Sequence, residues 1–156
     1  MIEVKAPNNY NDYLKQGTPS LFLAGSIEMG TAEKWQEKVV AAFRGRPILI
    51  LNPRRDDWDS NWEQSIDNPE FAKQVNWELD ALDNADLVIF YFDPNTKSPI
   101  TLLELGLQAQ RKRTDQLLVI CPEGYWRRGN VQIVCQRKGI AMENTLEDAI
   151  NKIKQL

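Results

Sequence analysis

Leu87-Val-Ile-Phe-Tyr-Phe92, Asp93-Pro-Asn-Thr-Lys97 and Ser98-Pro-Ile-Thr-Leu-Leu-Glu-Leu-Gly106 run without a break as LVIFYFDPNTKSPITLLELG. This stretch decides the fold. Six apolar residues in succession read as a strand buried on both faces, not as one with a wet side. Asp93 to Lys97 carry turn chemistry. Ser98 is a good N-cap residue and Pro99 suits the first helical position, so a helix begins there. A strand, a short turn and a helix form half of a βαβ unit.

The same alternation extends in both directions. Upstream, Leu21-Phe-Leu-Ala24 reads as a strand ending in Gly25-Ser26, and Thr31 caps a helix to about Arg44. Ile48-Leu-Ile-Leu51 is a second strand, cut at Asn52-Pro53-Arg54. A long polar segment with Trp58 and Trp62 runs to Asn68, and Pro69 opens a helix to about Asn84. Downstream, Leu117 to Cys121 is another strand. The loop from Pro122 to Asn130 leads to a helix around Val131 to Arg137. Ile140 to Met142 form a short fifth strand, and Leu146 to Ile153 a last helix. The first eighteen residues read as a loosely ordered polar lead.

The expected architecture is one α/β domain over 1–156: a flavodoxin-like, doubly wound parallel sheet of about five strands with helices on both faces. Such sheets bind ligands beyond the carboxyl ends of their strands, where the strand order reverses. Gly25-Ser26, Asn52-Pro53-Arg54, Asp93 to Ser98 and the loop to Asn130 all stand at those ends, around one crevice.

Composition narrows the chemistry. The 156 residues carry a net charge of −3, which gives no support to binding a nucleic-acid polymer. No apolar run approaches a membrane span, and MIEVKAPNNY is not a secretory signal. Cys121 and Cys135 form no metal-ligand spacing and read as buried thiols of a reducing, cytoplasmic setting. The chain has no histidine. Serine–histidine and cysteine–histidine triads are therefore excluded. Proton transfer near neutral pH falls to carboxylates, Tyr, Lys, Cys or water.

Two carboxylates draw attention. Glu104 stands among Leu102, Leu103, Leu105 and Leu107, one turn into its helix. There the helix dipole favours an anion by about 0.3–1 kcal/mol. The alternative is a surface Glu, or one paired with Arg111 or Lys112. Glu78 joins the series Phe71, Val75, Leu79 and Leu82, with Trp77 off that stripe, and a carboxyl on a core-facing stripe holds its proton. The alternative is a boundary residue paired with Arg54 or Arg55. If both face a crevice, one tends to the anion and the other to the acid, the division of labour that retaining glycoside chemistry uses.

The loops offer binding groups. Gly25-Ser26 presents backbone N–H groups of the kind that hold anions. Ser98 either caps its helix or binds a 5′-hydroxyl or phosphate. Asn130 either begins a helix or donates its amide to a ligand. Phe22, Trp58, Trp62 and Trp126 either stack on a base or pack in the core.

LFLAGSIE, NPRR with a following Trp, WELDALDNAD and SPITLLELG, in that order over Ser20 to Asn130, resemble the nucleoside 2-deoxyribosyltransferase superfamily, nearest its deoxyribosyltransferase-like branch. Nucleoside 5′-monophosphate N-glycosidases belong to the same superfamily. The resemblance implies a catalytic Glu in the ELG motif, which is Glu104, and a partner acid eight residues before the Asp of AD, which is Glu78. It implies Ser98 as a phosphate contact, Gly25 and Ser26 in the first loop, and Asn130 in the site. Phe22 stands where the family carries a Tyr, and PITLLELG replaces a Gly-rich approach. The implied activity is cleavage or exchange of an N-glycosidic bond on a (deoxy)nucleoside or its 5′-monophosphate, with no cofactor or metal, in a homo-oligomer. The alternative is a module that binds a nucleotide or ADP-ribose-like ligand without turnover.

Overall fold

The computed structural model describes residues 1–27, 32–55, 57–59 and 61–155. Six strands form one all-parallel sheet in the order β1-β3-β2-β4-β5-β6. They are β1 (Ile2–Lys5), β2 (Ser20–Gly25), β3 (Leu49–Asn52), β4 (Leu87–Tyr91), β5 (Leu117–Ile120) and β6 (Ala141–Glu143). The helices between and after them are α1 (Asn11–Lys15), α2 (Trp35–Ala42), α3 (Pro69–Asn84), α4 (Pro99–Arg111), α5 (Arg128–Lys138) and α6 (Leu146–Ile153). The doubly wound α/β class expected from the sequence is the class observed.

Two apolar layers sandwich the sheet. Trp77, Ala81 and Leu82 of α3, Leu105 of α4, and Val131 and Cys135 of α5 pack on one face, against Phe22, Val88, Phe90 and Val119. Trp35 and Val39 of α2 and Ala149 and Ile153 of α6 pack on the other, against Leu21, Leu23, Ile89 and Ile120. The run Leu87 to Phe92 feeds both layers alternately, which is why it shows no polar position. The chain leaves β2 by α2 on one face and β4 by α4 on the other. The switch point is therefore the gap between the carboxyl ends of β2 and β4.

The lead segment is more ordered than the sequence suggested. Ile2–Lys5 pairs with β3 as an edge strand, and Asn11–Lys15 forms a short helix. Asn52, expected in the binding crevice, joins these parts. Its Nδ2 donates to Glu3 Oε1 (2.8 Å), and its Oδ1 accepts the Arg54 N–H (3.0 Å). Asp86 fixes the other end of the sheet: its Oδ2 accepts the N–H (2.9 Å) and hydroxyl (2.7 Å) of Ser20.

Most helix limits lie close to those read from the sequence. Asn68 caps α3, its Oδ1 accepting from Glu70 N (3.1 Å) and Phe71 N (3.2 Å). Thr145 caps α6, accepting from Asp148 N (3.1 Å). The helix α2 starts only at Trp35, and Thr31, expected as its cap, lies outside the described residues. Ser98 precedes α4 in the left-handed region (φ 49°), and its side chain makes no cap bond to the helix. Cys121 and Cys135 are free and buried, and burial pushes both thiols up to about 11. No described helix is long and apolar enough to cross a membrane.

Candidate functional site

The helices α3 and α4 lie side by side on one face of the sheet, tied by Gln108 Nε2 to Asp83 Oδ1 (3.0 Å) and by an ion pair of Arg111 with Asp83 (3.0 Å). Both turn polar side chains inward. On α4 the buried residues are Thr101, Glu104, Leu105 and Gln108, whereas Ile100, Leu103 and Leu107 are exposed. On α3 they are Gln74, Trp77, Ala81 and Leu82. Leu79 is exposed, so the inner stripe differs from the sequence expectation: Trp77 faces in and Leu79 faces out. Glu78, beside Trp77, remains half-buried.

Glu104 is only 8% exposed. Neither of its expected cationic partners reaches it: Arg111 binds Asp83, and Lys112 Nζ donates to the carbonyls of Asp83 (3.2 Å) and Ala85 (2.6 Å). No hydrogen bond joins Glu104 to another described side chain. Burial, and secondarily the charge of Glu78, push the Glu104 carboxyl up to about 8. The helix start, expected to hold this group as its anion, is outweighed. Desolvation of a carboxylate costs several times the contribution of a helix dipole.

Glu78 is likewise pushed up, to about 7, by burial, against a hydrogen bond from Gln74 that lowers it. Gln74 Nε2 donates to Glu78 Oε1 (2.8 Å). The arginines considered as its partners turn elsewhere. Arg54 Nη1 donates to the Glu33 carbonyl (3.1 Å) and Gln36 Oε1 (3.2 Å), and Arg55 forks onto Asp57. The charge of Glu78 thus reaches Glu104 on the adjacent helix, and no cation is among the groups that shift either carboxyl. Two such groups near neutral pH share a proton more readily than they both ionise.

A second cluster occupies the switch point. Ser26 Oγ accepts the Asp93 N–H (2.9 Å) and donates to the Tyr91 carbonyl (3.2 Å). Its hydroxyl also meets those of Thr96 (2.9 Å) and Ser98, and Thr96 lies 2.7 Å from Ser98. The Ser26 N–H is spent on the Tyr91 carbonyl (2.9 Å). Gly25 is required by close approach: a Cβ there would meet the Tyr91 carbonyl at 2.6 Å and the Trp35 ring at 2.8 Å. Asp93 is buried and ties loops together, accepting from the N–H groups of Glu33 (2.9 Å) and Asn95 (2.8 Å).

The remaining predicted residues are spread around this centre. Phe22 lies in the core, its ring 6.2 Å from that of Trp77. Asn130 sits in the first turn of α5 and is exposed. Trp58 and Trp62 meet edge to face, with Arg55 over Trp62. Trp126 is half-exposed and donates to the Lys97 carbonyl (3.0 Å), as does the Tyr125 hydroxyl (2.6 Å). One cavity of about 420 Å³ is lined by Glu33, Tyr91, Asp93, Pro94 and Asn95, and another of about 410 Å³ by residues that include Asn8, Tyr10 and Trp77. Neither is lined by Glu78 or Glu104. What singles the pair out is charge: two uncompensated buried acids call for a functional reason more than a polar surface hollow does. Among the described residues, no group of His, Cys, Asp and Glu is suited to hold a metal ion.

Gln74 and Thr96 belong to these clusters without having been singled out in the sequence. Gln74 had a signal, its i, i+4 spacing to Glu78. Thr96 had none beyond its place in a turn.

No curated protein matches the chain. A family model described as nucleoside 2-deoxyribosyltransferase like matches residues 18–125, from the start of β2 to the loop after β5. That span holds both glutamates and the hydroxyl cluster and covers more than half of the sequence. The chain belongs to the nucleoside 2-deoxyribosyltransferase-like family.

Proposed function

We propose that the protein cleaves or exchanges the N-glycosidic bond of a (deoxy)nucleoside or nucleoside 5′-monophosphate. The observation that carries this reading is the Glu78–Glu104 pair on adjacent helices: burial raises both carboxyls, no cation is among the groups that shift them, and the charge of Glu78 raises Glu104 further. In the first step the Glu104 carboxylate attacks the anomeric carbon. The C1′–N bond breaks, a C1′–O ester forms, and the Glu78 proton passes to the departing base. In the second step water or another base attacks C1′. Glu78 takes the proton of the incoming water, or of the incoming base, and Glu104 leaves as a carboxylate. In the free protein Glu104, at about 8, holds its proton more tightly than Glu78, at about 7. The attacking form is therefore the one in which Glu104 has passed its proton to Glu78, a transfer favoured by the positive charge developing at the anomeric carbon. No cofactor or metal enters these steps.

The start of α4 supports a phosphate-bearing substrate. Ser98 stands at its N-cap position without a side-chain cap bond to the helix, and a helix start of this length favours an anion beside it. Incubation with matched nucleosides and 5′-monophosphates, with release of free base followed by chromatography, tests both claims. Base release from monophosphates at least about tenfold faster than from nucleosides is expected, since one added anion contact contributes about 1.5–3 kcal/mol. Equal rates would remove the phosphate site. Tight binding without release would instead identify a ligand-binding module.

The homo-oligomer also belongs to this reading. Ile100, Leu103 and Leu107 form an exposed apolar stripe on α4, and Leu79 of α3 is exposed as well. A second copy covering that stripe would bury it against the roof of the site. Leu103→Lys is expected to convert the assembly to monomers in light scattering coupled to gel filtration. A wild-type monomer, or a variant that assembles unchanged, would refute this arrangement.

A further inference from the structure

Gln74 is buried at 4% exposure, one turn before Glu78 on α3. Its Nε2 bonds two oxygens at once, the Pro53 carbonyl (3.0 Å) and Glu78 Oε1 (2.8 Å). The Pro53 carbonyl can only accept, and this decides which way the amide points. Flipping it would set the Gln74 carbonyl oxygen against the Pro53 carbonyl. The Gln74 side chain is therefore obliged to present an N–H to Glu78. Its own Oε1 is left buried without a hydrogen-bond partner. An unsatisfied buried carbonyl carries a desolvation cost that a thioether of similar volume would not incur. A side chain selected only to join α3 to the loop after β3 has no need of that arrangement.

We propose that Gln74 is a positioning residue for Glu78: its amide, oriented by the Pro53 carbonyl, fixes the carboxyl and stabilises the anion left when Glu78 gives up its proton. The role rests on the glycosidic reading above, in which Glu78 is the acid of the first step and the base of the second. It makes Glu78 a stronger acid than its burial alone allows. Glu104 from α4 is the titratable group that Glu78 faces. Arg54 and Arg55, from the loop after β3, are committed to α2 and to Asp57. Among the described residues no cation joins the neutral Gln74 amide in shifting Glu78.

The test is a titration that needs no substrate. Glutamate carboxyl carbons are labelled with ¹³C, and the Glu78 signal is assigned by its loss in Glu78→Gln. In Gln74→Met the Glu78 midpoint should rise by about one pH unit, the loss of one hydrogen bond to a charged group. An unmoved midpoint in a folded variant would overturn the proposal. Because that variant removes buried groups, a second reading uses the wild-type chain alone: the Gln74 side-chain amide protons should shift with the Glu78 midpoint, and a static amide would also overturn it. In kinetics, the upper limb of the pH profile of kcat/KM should move upward in Gln74→Met, which a purely structural role would not produce. Should the wild-type release no base, the glycosidic reading falls while the titration still decides the contact.

Discussion

Glu104→Gln should lose base release by about 10³-fold or more while keeping the native fold. The change removes the nucleophilic oxygen charge and leaves volume almost unaltered, and loss of an activated nucleophile is among the largest single effects in enzyme kinetics. Structure favours the substitution. Glu104 makes no hydrogen bond to a described residue that a neutral amide would break, and its carboxyl is already pushed up to about 8 by burial and by Glu78. A fold-neutral variant with near-normal release of base would show that the nucleophile lies elsewhere. Glu78→Gln should be less severe for substrates with good leaving groups, because these need less protonation as the C1′–N bond breaks. That contrast separates the two roles.

Stability should fall as the pH rises between about 5 and 8.5, the reverse of the usual behaviour of a protein rich in salt-bridged acids. Both glutamates titrate higher in the folded chain than their ordinary value of 4.5. The unfolded chain therefore loses these protons first. The stabilisation is complete below the unfolded value and disappears as the pH passes through about 7 and about 8. The combined loss is on the order of several kcal/mol, of which Glu78 alone, titrating near 7 instead of 4.5, accounts for about 3 kcal/mol. Acids held below the ordinary range by partners, Glu33, Asp57 and Asp115, act at lower pH, and the buried thiols act near 11. Urea midpoints measured across this window should decline in the wild-type chain. They should stay nearly level in the Glu78→Gln, Glu104→Gln double variant. A wild-type midpoint that is constant or climbs would contradict the burial of uncompensated carboxyls.

The strands were legible because each central strand is apolar on both sides, from Leu21 to Ala24, Leu87 to Phe92 and Leu117 to Cys121. The edge strand β1 was not. Ile2–Lys5 alternates Ile and Val with Glu3 and Lys5, and its place is set by pairing with β3, which no local pattern reveals. The inward face of α3 was misread for a related reason. A helix that roofs a polar site reverses the ordinary arrangement, so Gln74, Thr101, Glu104 and Gln108 face in while Leu79, Leu103 and Leu107 face out. Counting leucines selects the wrong side in such helices. Glu104 was still visible as a charge out of place. Its raised titration was not, because burial and the neighbouring Glu78 are properties of the assembled structure.

The binding residues divide along similar lines. Topology placed Gly25, Ser26, Asp93 and Ser98 at one switch point, and the structure joins Ser26, Thr96 and Ser98 through their hydroxyls. What the sequence could not foresee is how many polar groups there already serve one another. The Ser26 N–H goes to Tyr91, the Asp93 carboxylate to Glu33 and Asn95, and Arg54 to α2. The role of Ser98 as a helix cap failed because its left-handed backbone turns the side chain to Ser26 and Thr96 instead.

The proposed covalent step can be tested directly. A nucleotide bearing fluorine at the 2′ position forms the glycosyl ester but releases it slowly, because the electron-withdrawing atom destabilises the oxocarbenium-like second step. Mass spectrometry of the protein after incubation with such a probe should show one added glycosyl mass, carried by a peptide spanning α4 and located on Glu104. Release of the base with no adduct, or an adduct on any other residue, would contradict the account.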